Sequence, residues 1–332
     1  MISLKMNKKF YPLIVTLSLF LFMYLYGSFT YTGFASPQVF LNLFIDNAFL
    51  IIVAVGMTFV ILSGGIDLSV GSVIALTSMV TASLLQSGNL SAWIVIPIAL
   101  CIGPILGFIM GCLIHFYNLQ PFIVTLAGMF LARGLSFVIS VETISINEAF
   151  FQFAANTKIF IGEYFVSISV LIALLVVVAS IFIAHYTKFG RNVYAIGGNE
   201  QSAMLMGLPV GKTKILIYTL SGFCSSLAGV VFTFYMLSGY GLHANGLELD
   251  AIAAVVIGGT LLTGGAGYVA GSVVGVLILG VIQTLIVFEG TLSSWWTKIA
   301  IGVLLLVFIL FQRISALKGV GKSRPYLKHN LL

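Results

Sequence analysis

The sequence predicts an all-α integral membrane protein, a polytopic bundle of about ten transmembrane helices. Three observations carry that expectation. Hydrophobic residues make up 60% of the chain, charged residues only 7%, and the mean hydropathy is +1.16, more apolar surface than a soluble fold of 332 residues can bury. Apolar runs of about 20 residues recur along the chain, each long enough to cross roughly 30 Å of hydrocarbon as a helix. The basic residues lie in loops and tails and are not interleaved with aromatics on one polar face. The net charge of +6 therefore speaks for orientation in a membrane rather than for nucleic acid.

The first run, 11–29, follows Lys5, Lys8 and Lys9. It exceeds the roughly 7–15 residues of a signal-peptide core, which favours a retained span over a leader cleaved near Gly33 and Ala35. Spans are next expected at 47–62, 70–85, 92–115 and 122–140. A polar segment, 141–165, carries Glu142, Glu148 and Glu163 against Lys158. Span 166–184 leads into the longest basic loop, 185–214, with Lys188, Arg191, Lys212 and Lys214 against Glu200. The remaining spans are 215–237, 249–262, 271–288 and 295–311, and a basic tail follows over 314–332. An even count with both termini in the cytoplasm places every basic cluster inside. Run 249–262 is short for a full crossing and also reads as a broken or re-entrant helix. No soluble domain interrupts the chain, so 1–332 is expected to form a single transmembrane domain.

One glycine-rich stretch occurs twice. Leu62-Ser63-Gly64-Gly65-Ile66-Asp67-Leu68-Ser69-Val70-Gly71-Ser72-Val73 returns 200 positions later as Leu262-Thr263-Gly264-Gly265-Ala266-Gly267-Tyr268-Val269-Ala270-Gly271-Ser272-Val273. Glycines at matching points permit positive φ and close backbone approach, which a tight corner between packed helices requires. Each copy joins an inward-running span to an outward-running one, so the repeat is read as parallel.

Charges inside the apolar parts are few: Asp67, Arg133 and, at an edge, Asp250. An ionisable group at membrane depth costs several kcal/mol, so each is a candidate for a transport path or a structural pair. Asp67 and Asp250 also read as helix caps, and Arg133 as a partner for either or as a side chain reaching toward an interface. Pore-facing positions are expected at Asp67, Asn47, Gln283 and Thr125.

Catalytic patterns are missing. Gly134-Leu135-Ser136 has the spacing of an intramembrane serine protease but no histidine base at membrane depth. Gly207-Leu208-Pro209-Val210-Gly211-Lys212-Thr213 is one residue short of a phosphate-binding loop and lacks its strand–helix setting. The chain is therefore read as no enzyme and as binding no nucleotide. Cys101, Cys112 and Cys224 sit in apolar runs without metal-site spacing, and no metal is expected. Within the basic loop a short helix is expected from Asn199 to Met206, capped by Asn199 and stopped by Gly207 and Pro209. Its apolar face, Ala203, Met204 and Met206, would lodge on the membrane surface or dock into a partner's groove.

Ser63–Ser72 resembles the signature of permease subunits of bacterial monosaccharide ABC importers, the ribose, xylose and galactose group. Gly190-Arg191-Asn192-Val193-Tyr194-Ala195-Ile196-Gly197-Gly198-Asn199 and Glu248-Leu249-Asp250-Ala251-Ile252-Ala253-Ala254-Val255-Val256-Ile257-Gly258-Gly259-Thr260 match the same group. The likeness covers a core of 45–313. It is nearest to the second permease of galactofuranose importers, through Asp46-Asn47-Ala48-Phe49-Leu50 and Thr291-Leu292-Ser293-Ser294-Trp295-Trp296-Thr297-Lys298-Ile299-Ala300.

The resemblance implies the cobalamin-importer-like (type II) ABC permease fold in the bacterial inner membrane. It implies a cytoplasmic ATPase that binds ATP and Mg, a periplasmic sugar-binding protein and a second permease chain in a heterodimer. Asn199, Gln201, Ser202, Ala203 and Gly207 would form the ATPase-coupling loop, with Gln201 where the family has glutamate. Gly64, Gly65, Gly264 and Gly265 would be places where helices shift. The rival reading is an ion-coupled secondary sugar transporter using Asp67 and Arg133 as coupling groups.

Overall fold

The computed structural model describes residues 11–88, 90–293 and 295–321. The expected basic clusters at Lys5, Lys8 and Lys9 and after Gly321 lie outside the described residues.

The chain opens with α1 (Tyr11–Thr30) and α2 (Pro37–Leu62). α2 starts well before residue 47 because Ser36 caps it, accepting from the Val39 amide, with Pro37 opening the first turn. Every residue from Leu50 to Leu62 is buried, so α2 is the central post of the bundle, packed by α-helices on all sides. After a corner come α3 (Val70–Gln86), α4 (Ala92–Phe116) and α5 (Pro121–Ile139).

The polar segment 141–165 is folded. It forms β1 (Ile144–Ser145), α6 (Ala149–Asn156) and a hairpin of β2 (Lys158–Ile161) with β3 (Tyr164–Ser167), turned at Gly162 with φ +66°. α7 (Ile168–Tyr186) then leads to α8 (Lys188–Gly198) and α9 (Glu200–Leu205), followed by α10 (Val210–Met236). β4 (Ser238–Gly239) pairs antiparallel with β1, tying the polar segment to the end of α10. α11 (Leu247–Ile257), α12 (Val269–Glu289) and α13 (Trp295–Gly321) complete the bundle.

Among the described residues eight helices are long and apolar enough to cross a membrane, and α3 and α11 fall short by length. α11 has only 11 residues, about 16 Å of helix, too short for a full crossing. The chain is a polytopic helical membrane protein, and 249–262 takes the broken-helix alternative.

Helix contact in lipid needs small residues, because apolar surface gains little by leaving lipid. α4 supplies them as Gly103, Gly107 and Gly111, where an added Cβ would strike the backbone of α10 at Gly222, Tyr218 and Ile215. α13 by contrast turns Ile299, Val303, Leu306, Val307 and Leu310 outward. The three cysteines are unpaired, Cys224 buried and Cys101 exposed.

Candidate functional site

At the basic end of the bundle, α8 and α9 form a jointed arm. Thr187 caps α8 by accepting from the Gly190 amide at 3.2 Å, and Val193 and Ile196 face inward. Asn199 accepts from the Ser202 amide at 2.7 Å and caps α9, as the sequence predicts. Gly207 ends it at φ +75°.

The face differs from expectation. Ala203 is fully buried in a small cluster with Ile196 and Val210, while Met204, Leu205 and Met206 are exposed, Leu205 by 89%. The surface of α9 is therefore an apolar knob made by those three residues. The unbroken apolar run Ala203-Met204-Leu205-Met206, closing so short a helix, carries no period from which Ala203 could be read as inward. Gln201 is exposed, and its neighbour Glu200 accepts from Lys214 at 2.7 Å, pinning α9 to α10.

The two glycine corners, distant in sequence, meet at this end. The Gly265 amide donates to Leu62 O at 2.8 Å, satisfying a carbonyl left open at the end of α2. Gly64, Gly264 and Gly265 take φ of +83°, +84° and +76°, which glycine adopts without strain. α8 lies across this junction. A Cβ on Gly197 would collide with Leu62 O and Gly265 N, whereas one on Gly198 would meet nothing within 4 Å. Tyr194 of α8 donates to Gly267 O at 2.8 Å. Burial pushes its phenol up to about 12, so it stays a donor at neutral pH. The arm thus touches both corners at once.

Asp67 lies beyond the first corner, in non-helical backbone that is buried in protein, the setting such backbone requires at membrane depth. It does not cap α3, whose cap position is Ser69. Its Oδ1 accepts from Ser69 N at 2.9 Å and Ser69 Oγ at 2.6 Å, and its Oδ2 accepts from Ser221 Oγ of α10 at 2.7 Å. Thr125 Oγ1 donates to Pro121 O at 2.8 Å and lies 3.3 Å from Ile66 O. Asp67 and Thr125 are neighbours, both without exposed surface, and neither lines a described cavity.

At the opposite end Arg133 pairs with neither aspartate. Its guanidinium donates to Gly241 O and His243 O, both at 2.7 Å, holding the loop between β4 and α11. Burial, and then the Arg133 charge, hold the His243 imidazole below its usual value, so it is neutral at pH 7. Asp250 is no cap either. The cap position is Gly246, and Asp250 accepts from Lys298 Nζ at 2.8 and 2.6 Å, joining α11 to α13.

Asn47, Gln283 and Asp250 come together. They line a cavity of about 320 Å³ between α2, α11, α12 and α13 with Lys298. A second cavity of about 210 Å³ shares Asn47 and Gln283 and adds Asp46 and Thr284. Sequence reasoning missed Lys298 and Asp46 as part of this set. A lysine in the first turn of the last apolar helix was the available signal.

Comparison with known proteins agrees with the membrane architecture. Residues 39–309 match the family model described as branched-chain amino acid transport system / permease component. The chain is 50% identical to the inner membrane ABC transporter permease protein YjfF of Escherichia coli, over 98% of this chain and 99% of that protein. It is 42% identical to the fructose import permease protein FruG of Bifidobacterium longum, over 96% and 95% of the two chains. Identity to the ribose import permease protein RbsC of Haemophilus influenzae is 40%, over 83% and 85%. No solved structure matches. With the match spanning the bundle from α2 into α13, this chain belongs to the branched-chain amino acid transport system / permease component family.

Proposed function

We propose that this chain is the membrane-spanning permease of an ABC importer that carries a monosaccharide, galactofuranose or a related sugar, across the inner membrane. The observation that carries the reading is the apolar knob of α9. Met204, Leu205 and Met206 stand exposed on a capped helix in the basic loop, a shape suited to a groove on a partner. The family description speaks of amino acids, but two relatives at 40% identity and above carry a sugar in their names, a fructose and a ribose permease.

On this reading the basic end is cytoplasmic, both termini lie inside, and a separate ATPase holding ATP and Mg docks on α9. A periplasmic sugar-binding protein delivers the sugar, and a second permease chain completes a heterodimer of the type II fold. α11 and α3 join the eight long helices in the bundle. Closure of the ATPase would press α9, and α8 would carry that movement through Gly197 and Tyr194 to Gly64, Gly65, Gly264 and Gly265. Asp67, with Thr125 beside it, holds the first corner to α10 while the second shifts.

The test is purification in mild detergent with the ATPase encoded alongside. The ATPase co-purifies with the wild-type chain and is lost from Leu205→Asp, while the Gln201→Ala complex stays whole. Labelled galactofuranose uptake in a deletion strain returns only with the intact chain. A chain that purifies alone, yet moves sugar into liposomes under an ion gradient, contradicts the reading and favours Asp67 and Arg133 as coupling groups.

A further inference from the structure

The two cavities between α2, α11, α12 and α13 form one groove, because both are lined by Asn47, Gln283 and Val287. Its chemistry is unlike that of the rest of the bundle. In a chain with only 7% charged residues, Asp46, Asp250 and Lys298 converge here with two amides. Lys298 is half exposed and Asp250 keeps 20% of its side chain open. Hydrocarbon cannot cover such a pair without a cost of several kcal/mol, so this face is turned to water or to protein.

The groups are poised rather than spent. Asn47 is 7% exposed and donates its amide nitrogen to Leu43 O at 2.9 Å, which fixes the side chain and leaves its carbonyl oxygen without a partner among the described residues. Gly280 of α12 makes this possible, since a Cβ there would come within 2.7 Å of Asn47 Nδ2. Gln283 is exposed, with no hydrogen bond from its amide among the described residues. Asp46 has one distant partner, the Tyr235 hydroxyl at 3.5 Å. Leu50, Leu279 and Ile286 supply an apolar wall.

Charge decides what fits. Lys298 and Asp250 neutralise each other, so no free cation is offered to a carboxylate or phosphate. Asp46 adds an acceptor that repels anions. Carboxylate and amide oxygens, amide donors and an apolar wall suit a neutral molecule rich in hydroxyls. The larger cavity, about 320 Å³, sits at the low end of small-molecule sites, and the smaller one of about 210 Å³ extends it. We infer that this groove binds one monosaccharide ring in transit, through Asp46, Asn47, Gln283 and the Asp250–Lys298 pair. The inference rests on the sugar-permease reading and adds the place where the chain itself touches the sugar.

The test uses the intact complex in membranes, with Cys101, Cys112 and Cys224 changed to serine and Gln283→Cys as the single thiol of this chain. Labelled galactofuranose, D-ribose and D-fructose are the transport probes, and a charged methanethiosulfonate is the thiol probe. The thiol reacts, reaction stops uptake, and the transported sugar slows the reaction several-fold. Asn47→Ala lowers uptake about tenfold, the loss of one polar contact of about 1.4 kcal/mol, with the ATPase still bound. If the cysteine-free parent moves sugar but the thiol of the Gln283→Cys variant is unreactive, or is modified without effect on uptake, the groove assignment falls alone. If the wild-type complex moves none of the three sugars, the permease reading falls with it.

Discussion

The two glycine corners share a sequence pattern and divide the work between them. At 62–73 the chain turns once at positive φ, on Gly64, and then sends Asp67 into three hydrogen bonds, two to Ser69 and one to Ser221 that ties it to α10. At 262–273 three glycines, 264, 265 and 267, have positive φ, and Gly267 stands where the first copy has Asp67. The second corner has no side-chain anchor at that position and is held through its backbone, by Leu62 O and the Tyr194 hydroxyl. Matching glycines therefore encode the same reversal, and one aspartate separates an anchored corner from one gripped by the α8 arm.

The contrast sharpens into substitutions, ordered here by expected effect. Asp67→Ala strips the partner from Ser69 and Ser221 at a fully buried site. It is expected to destabilise the detergent-solubilised chain by about 3 kcal/mol, and Asp67→Asn by less, as read by thermal unfolding. Gly264→Ala combines positive φ with a Cβ 2.8 Å from Gly64 N, whereas Gly64→Ala meets its nearest atom at 3.6 Å. Both carry a backbone cost of about 1 kcal/mol, and only the first adds overpacking, so Gly264→Ala is the worse by about 1–2 kcal/mol. On α8, Gly197→Ala lowers stability by about 1–3 kcal/mol and Gly198→Ala changes it by less than about 0.5 kcal/mol. Equal effects within either glycine pair would break the comparison. Tyr194→Phe, which loses one hydrogen bond, is expected to cost about 1 kcal/mol.

Much of this architecture is legible in the sequence because the physics that sets it is local. Hydropathy places each long helix, and Asn199 and Gly207 bound α9 by their capping chemistry. The repeat exposes both corners as glycine turns. Contacts between distant segments are not legible in that way. Nothing local shows that Gly265 will donate to Leu62, that Ile144 will pair with Gly239, or that Lys298 rather than Arg133 will meet Asp250. Helix length also depends on neighbours. α11 stops at Ile257 because Gly258 packs on the Gly271 backbone and Gly259 turns at φ +91°, although the apolar run continues to Leu262.

The central claim is that α8 transmits movement of α9 to both corners. The most direct test is the ratio of sugar moved to ATP hydrolysed in the reconstituted complex carrying Tyr194→Phe. The account predicts that the ATPase stays bound and hydrolyses at the wild-type rate while the ratio falls several-fold. An unchanged ratio would contradict it.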